Sequence, residues 1–341
     1  MIYVQVEIAV EVWSSCSVIY SIFVPTRDSS RWISIFLSAY RDLGIEPLYV
    51  VDERSCDGTA DILEAQGARV VTFLPSGDFV EAGLIEFGSR AAGTPWVLRM
   101  DDDEFPSLAL LQAIPDLIKK TRNAAFDIPR LELFRRGGEI YQSRARGRLH
   151  GGTKLPSLQR RLYRPGALTF HQRIHSSGFE GPPFCGIMRS DQYFIHFDRL
   201  IRSPRERVAK MHSQLKSGYP AYQLADEYLP ELFSLEHHAA IKPDLREVRR
   251  ILEALPDPDE TMPEFSDKIV SAMRDAARKY GDQQFECLRT VDADFIIRLS
   301  HWIPPFMLTR VAELLCTIGI KGPGSRLWNF AASLKEARAW E

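Results

Sequence analysis

The chain has 341 residues, 45% of them apolar and 26% charged, with a formal net charge of −2. That length supports one large or two modest domains with a real core, and the near-neutral balance excludes a global field steering the chain to nucleic acid or an anionic membrane. Five cysteines (16, 56, 185, 287, 316) form no C-x-x-C pair, a pattern against a zinc ribbon or disulfide framework and for a reducing, cytoplasmic setting.

No apolar run reaches the length of a membrane span. Tyr3 to Val12 alternates apolar and polar residues, which predicts a half-buried strand and not a signal peptide. Val18 to Val24 is a β-branched run that Pro25 should stop, and Trp32 to Leu43 has helical spacing ending at Gly44. A second strand is expected over Pro47–Val51, ending in Asp52, and a short helix over Ala60–Gln66, closed by Gly67. Arg69–Phe73 reads as a third strand, Phe79–Ala92 as a helix and Trp96–Met100 as a fourth strand. Strand and helix in alternation predict an α/β fold with a mostly parallel sheet and right-handed crossovers.

Directly after the fourth strand stand Asp101, Asp102, Asp103 and Glu104, followed by the helix-start signal Pro106-Ser107. Adjacent carboxylates repel one another unless a cation or hydrogen-bond donors share the charge. A hard divalent cation is one explanation, and an acidic turn capping the next helix is the other. Asp52 falls at the same carboxyl edge of the sheet, where ligands bind in open α/β folds, so a shared site is favoured. Asp101 and Asp103, two apart on extended backbone, would point the same way, with Asp102 facing the other way.

Three ordered segments resemble the nucleotide-sugar-binding half of family 2 glycosyltransferases of the GT-A fold. They are Phe23-Val-Pro-Thr-Arg-Asp28, Val50-Val-Asp-Glu-Arg-Ser-Cys-Asp-Gly-Thr59, and Gly88 to Gly93 leading into Leu98-Arg-Met-Asp-Asp-Asp-Glu104. The last is similar to the family's A-R-N-x-G followed by a D-x-D motif. Arg54 and Cys56 stand where the family has Gly and Thr. The resemblance implies a catalytic domain over 1–242, with a nucleotide-sugar half (18–106) and an acceptor half (107–242). A helical C-terminal region over 243–341 would follow it. It implies Pro25, Thr26 and Asp52 around the base, Asp101 near the donor ribose and Arg90 on the diphosphate. It also implies Mn²⁺ or Mg²⁺ on Asp101 and Asp103, with His196 either a late third ligand or a structural residue. Metal bridging of a diphosphate leaving group stabilises the negative charge that develops there.

The second half carries weaker signals. From Arg130 to Arg164 ten Lys or Arg residues face two glutamates. That run reads as a solvated face or as the seat of an acidic or lipid-phosphate acceptor. Leu158 to Gly166 and Arg173-Ile-His175 resemble the family's R-L-F-R-x-G … R-V-H-E, with Ser176 in place of the glutamate. His175, Glu180 and Asp191 are the candidates for the general base that inversion needs, and spacing does not separate them. Arg205–Leu215 reads as a basic helix, and its Lys210 is a candidate contact to the diphosphate. Leu245–Leu255 and Phe265–Tyr280 read as amphipathic helices. Ile296 to Ile320 is the most apolar part of the tail, suited to a membrane surface, the catalytic domain or a second subunit. The expected activity is inverting transfer of one hexose from a UDP- or GDP-linked sugar to a glycan, lipid-linked or small-molecule acceptor, as in cell-surface glycan synthesis, with no nucleic-acid partner. The alternatives are a nucleotidyltransferase on the same metal site, or an inactive nucleotide-sugar-binding module.

Overall fold

The computed structural model describes residues 19–75, 81–143, 157–170, 179–180, 185–189, 191–215, 229, 245–256 and 261. The expected strand over 3–12 and the helices over 265–280 and 296–320 lie outside the described residues.

The first half alternates as its periodicity dictates. It runs β1 (Ser21–Thr26), α1 (Ile33–Asp42), β2 (Leu48–Asp52), α2 (Thr59–Ala65), β3 (Arg69–Phe73), α3 (Glu81–Ala91) and β4 (Val97–Arg99). β3, β2, β1 and β4 lie side by side, all parallel. β1 does not stop at Pro25 but continues to Thr26. The carbonyl of Phe23 accepts from Met100 N–H on the β4 side, so Pro25, two residues on, faces the same edge after β4 has ended. Its missing N–H therefore costs no ladder bond.

The chain then forms β5 (Glu104–Pro106), α4 (Leu108–Lys120), β6 (Ala125–Arg136), β7 (Glu139–Ser143), β8 (Ser157–Tyr163), β9 (Thr169–Phe170), β10 (Phe179–Glu180), β11 (Cys185–Ile187) and β12 (Phe194–His196). Ser107 caps α4, its hydroxyl accepting from Leu110 N–H. Three helices close the described chain: α5 (Asp198–Ile201), α6 (Pro204–Leu215) and, after a 3-10 turn over Arg246–Val248, α7 (Arg249–Ala254).

The sheet order β3-β2-β1-β4-β8-β6-β12-β5 puts β4 and β5 four strand steps apart. In a flat sheet that is about 19 Å. The five residues from Arg99 to Glu104 reach at most about 17 Å when fully extended, and part of that stretch is a turn. The sheet must therefore curl, and curling carries the end of β12 back beside the end of β4. One face packs α1, α4 and α7 against a large core that includes Phe36, Leu98, Ile114 and Phe194. The other packs α3 over Phe23, Val50 and Val97. Leu245–Leu255 docks on the first face through Val248, Ile251 and Leu255, which are buried in the first core beside α1. Among the described residues no helix is long and apolar enough to cross a membrane.

Candidate active site

The acidic run is a turn and not an extended strand. Glu104 N–H donates to the Asp101 carbonyl at 3.0 Å, and Glu104 Oε2 accepts from Asp101 N–H at 2.9 Å. This corrects the expectation that Asp101 and Asp103 share a direction, because a turn splays the side chains that an extended strand would align. The Asp101 carboxylate is held by both terminal nitrogens of Arg161, at 3.0 and 2.6 Å. Arg161 also reaches the fully buried Glu104 at 2.6 Å. It is a fork of donors well matched to two carboxylates.

Asp103 points elsewhere. Its Oδ1 lies 3.5 Å from His196 Nε2, its Oδ2 accepts from Arg202 Nη1 at 2.9 Å, and its carbonyl accepts from Phe197 N–H at 2.8 Å. His196 is the central residue of three in register, with Glu104 on β5 and Glu132 on β6. Register puts the three side chains on one sheet face. His196 Nδ1 is 2.8 Å from Glu132 Oε2. Burial alone would lower the imidazole pKa, but the Glu132 and Asp103 carboxylates outweigh it and push it up to about 10. Asp198, the first residue of α5, completes the group: one ligand atom each from Asp103, His196 and Asp198 lies within 4.8 Å of the others. Asp198 accepts from Lys210 Nζ at 2.9 Å and from Arg202. Burial opposes its ionisation, yet Lys210 and Arg202 hold it well below the usual carboxylate range.

Two carboxylates and an imidazole suit a divalent cation. The imidazole's other nitrogen, fixed by a carboxylate, is the arrangement that orients a metal-ligating histidine. The donor set thus fits the expected metal. Asp101 is not part of this group; Asp198 is. Asp198 is not among the ligands expected from sequence, although the spacing His196-x-Asp198 is a signal for it.

Asp102 takes a third direction. It turns toward the β1 loop: its Oδ2 accepts from Thr26 Oγ1 at 2.8 Å, from the Ser29 hydroxyl, and from Arg27 N–H at 3.4 Å. Burial, then the neighbouring Asp103 charge, raises its pKa to about 6. The β1 and β2 loops are tied to each other beneath it. Ser29 N–H donates to Thr59 Oγ1 and Ser30 N–H to Asp57 Oδ2, both at 2.8 Å, while Asp28 N–H donates to Ser55 Oγ at 2.9 Å. Asp28 makes its bond at φ 53°, a left-handed conformation that aspartate tolerates better than most residues.

Asp52, at the end of β2, is buried and bonds its own turn. It accepts from Arg54 N–H and Nε, both at 2.9 Å, and from Arg54 Nη2 at 2.6 Å. Burial opposes ionisation there, but the Arg54 bonds prevail and lower the pKa. Pro25 and Thr26 close β1 beside it, paired with Val50 and Val51. Arg90 lies on the exposed side of α3, 3.0 Å from Glu86. Asp191 is exposed and ion-paired with Arg189, whose hydrogen bonds lower its pKa. Glu180 lies on β10, and His175 falls outside the described residues.

In the basic stretch of the second half, at least three of the six described arginines pair with carboxylates. Arg130 meets Glu132 at 2.6 Å, Arg160 meets Asp127 at 2.9 Å, and Arg161 takes the acidic turn. Arg130 and Arg161 thus balance buried carboxylates of the site, while Arg144, Arg146, Arg148 and Lys154 of the same stretch lie outside the described residues.

No family model and no curated protein matches the chain. Solved structures do. Staphylococcus aureus TarS, residues 1–349, aligns over 79% of this chain and 89% of its own, at 15% identity and a TM-score of 0.37. The same TarS segment in complex with UDP-GlcNAc aligns equally, over 79% and 90%. Glucosyl-3-phosphoglycerate synthase from Mycobacterium tuberculosis, in complex with Mn²⁺, UDP and glucosyl-3-phosphoglycerate, aligns over 35% of this chain and 44% of its own. Its identity is 18% and its TM-score 0.28.

Proposed function

We propose that this chain is a glycosyltransferase that moves one sugar from a nucleoside diphosphate sugar to an acceptor hydroxyl. The observation that carries the reading is the convergence of Asp103, His196 and Asp198 at the curled edge of the sheet, beside the tied loops that follow β1 and β2. In the proposed site Asp103, His196 and Asp198 hold a divalent cation. Such a cation, when bound, neutralises charge on a departing diphosphate. Mn²⁺ and Mg²⁺ both suit an oxygen-rich set with one imidazole.

The chain's own residues supply the rest. Thr26 and Asp102 offer a hydroxyl and a carboxylate for the ribose and base, and Asp52 holds the Arg54 fork at the rim of the same edge. Asp101, anchored by Arg161, orients the turn that presents Asp103. Inversion requires a proton acceptor at the acceptor hydroxyl, and Asp191, Glu180 and His175 remain the proposed candidates. Ion pairing with Arg189 keeps Asp191 ionised but weakens it as a base.

Incubation of the protein with UDP- and GDP-sugars and Mn²⁺, with released nucleoside diphosphate measured by chromatography, tests the reading. Release from at least one donor, abolished in Asp103→Asn, is expected. Release unchanged in Asp103→Asn contradicts the assignment. Pyrophosphate released from a nucleoside triphosphate, with no diphosphate from any sugar donor, would favour nucleotidyl transfer instead.

A further inference from the structure

Asp103 and Asp198 are buried carboxylates with ligand oxygens within 4.8 Å of each other and of His196. One atom bridges them: Arg202 Nη1 donates to Asp103 Oδ2 at 2.9 Å and also to Asp198 Oδ1. Two buried carboxylates this close need a cation between them. A guanidinium nitrogen that bonds one oxygen of each fills the position that a divalent ion bound through those same two oxygens would take. The two cations cannot share that position.

Two further features bear on how Arg202 is held. It is the C-cap residue that follows α5, with extended backbone (φ −108°, ψ 133°). Its guanidinium also lies over the Trp32 ring, 4.8 Å from the centroid. A cation–π contact of that kind attracts the guanidinium in addition to the carboxylates. Lys210 Nζ adds a second positive charge at Asp198 Oδ1, at 2.9 Å.

We propose that Arg202 and a divalent cation occupy the Asp103–Asp198 pair in alternation. Arg202 is the resident counter-cation of the metal-free protein, and metal binding displaces it. The inference rests on the metal reading above and assigns Arg202 the role of setting how readily the site loads. While Arg202 holds the pair the site is not competent for metal, so the apparent affinity is the intrinsic one multiplied by the fraction of molecules in which the pair is released.

The test is calorimetric titration of the full chain with MnCl₂ alone, without nucleotide, comparing wild type with Arg202→Gln. If the released state is about a tenth of the population or less, Arg202→Gln binds Mn²⁺ about tenfold tighter or more. Equal or weaker binding by the variant overturns the alternation and leaves the metal site standing. Absence of binding in both removes the metal site and the alternation with it. A readout on the wild-type protein guards against misfolding of the variant. In ¹⁵N-arginine-labelled protein, the Arg202 Nε–H signal, assigned by its loss in Arg202→Lys, should shift and exchange faster with water at saturating Mg²⁺. An Arg202 signal unchanged by Mg²⁺ overturns the proposal.

Discussion

His196 sits between carboxylates on two sides, and each of its ring nitrogens has a different task. Nε2 faces Asp103 and the proposed cation, while Nδ1 is held by Glu132 at 2.8 Å. Glu132 touches no substrate in this account, yet it fixes the ring. Replacing it by Gln should weaken Mn²⁺ binding about 10- to 100-fold, read by calorimetry. Asp198→Asn should cost at least that much, whereas Asp101→Asn should leave Mn²⁺ affinity near wild type, because Asp101 lies outside the ligand group and Glu104 still holds Arg161 on the turn. A larger loss in Asp101→Asn than in Asp198→Asn would reverse the assignment. Asp57 offers a pH test away from the metal. Burial opposes its ionisation, but bonds from the Thr59 hydroxyl and Ser30 N–H bring its pKa down to about 2. A depressed carboxylate contributes stability that is present above its ordinary value, 3.8, and is lost as pH falls through about 2. Asp57→Asn should therefore be less stable than wild type at neutral pH, with the gap closing between pH 4 and 2 in acid melts.

At the scale of elements, α3 lies so close over β1 and β2 that a Cβ on Gly88 would come 2.7 Å from Phe23 Cδ2 and 2.9 Å from Val50 Cγ2. Both are core residues with no room to retreat. Gly88→Ala should cost about 1–3 kcal/mol in urea unfolding. Ile251, by which α7 docks beside α1, should cost about 2–5 kcal/mol as Ala; a neutral effect would mean that the docking contributes little. These elements were largely legible from sequence, because β2, β3, α1 and α3 are local patterns of apolar period punctuated by Gly44 and Gly67. The acidic turn was not, since four carboxylates in a row carry no period, and the bond from Glu104 N–H to the Asp101 carbonyl decides their directions. β5 was missed for a related reason: three residues form a strand only because β12, far along the chain, supplies the edge. Asp198, Glu132 and Arg202 come to Asp103 through sheet curvature, a long-range property that spacing does not encode.

For the whole molecule, the curl that brings β12 back beside β4 places a candidate metal group and two cross-tied loops on one edge. Positive charge from Arg161, Arg199, Arg202 and Lys210 surrounds carboxylates that are otherwise buried. That edge is the central claim, and ligand-dependent stability reads it directly, since whatever binds the folded state raises its melting temperature. The measurement is a thermal-shift panel of UDP, GDP, CDP and dTDP, each with and without Mn²⁺, on wild type and Asp103→Ala. The account predicts stabilisation by one or two of the nucleotides that needs Mn²⁺ and disappears in Asp103→Ala. No shift by any nucleotide under any metal condition would contradict it.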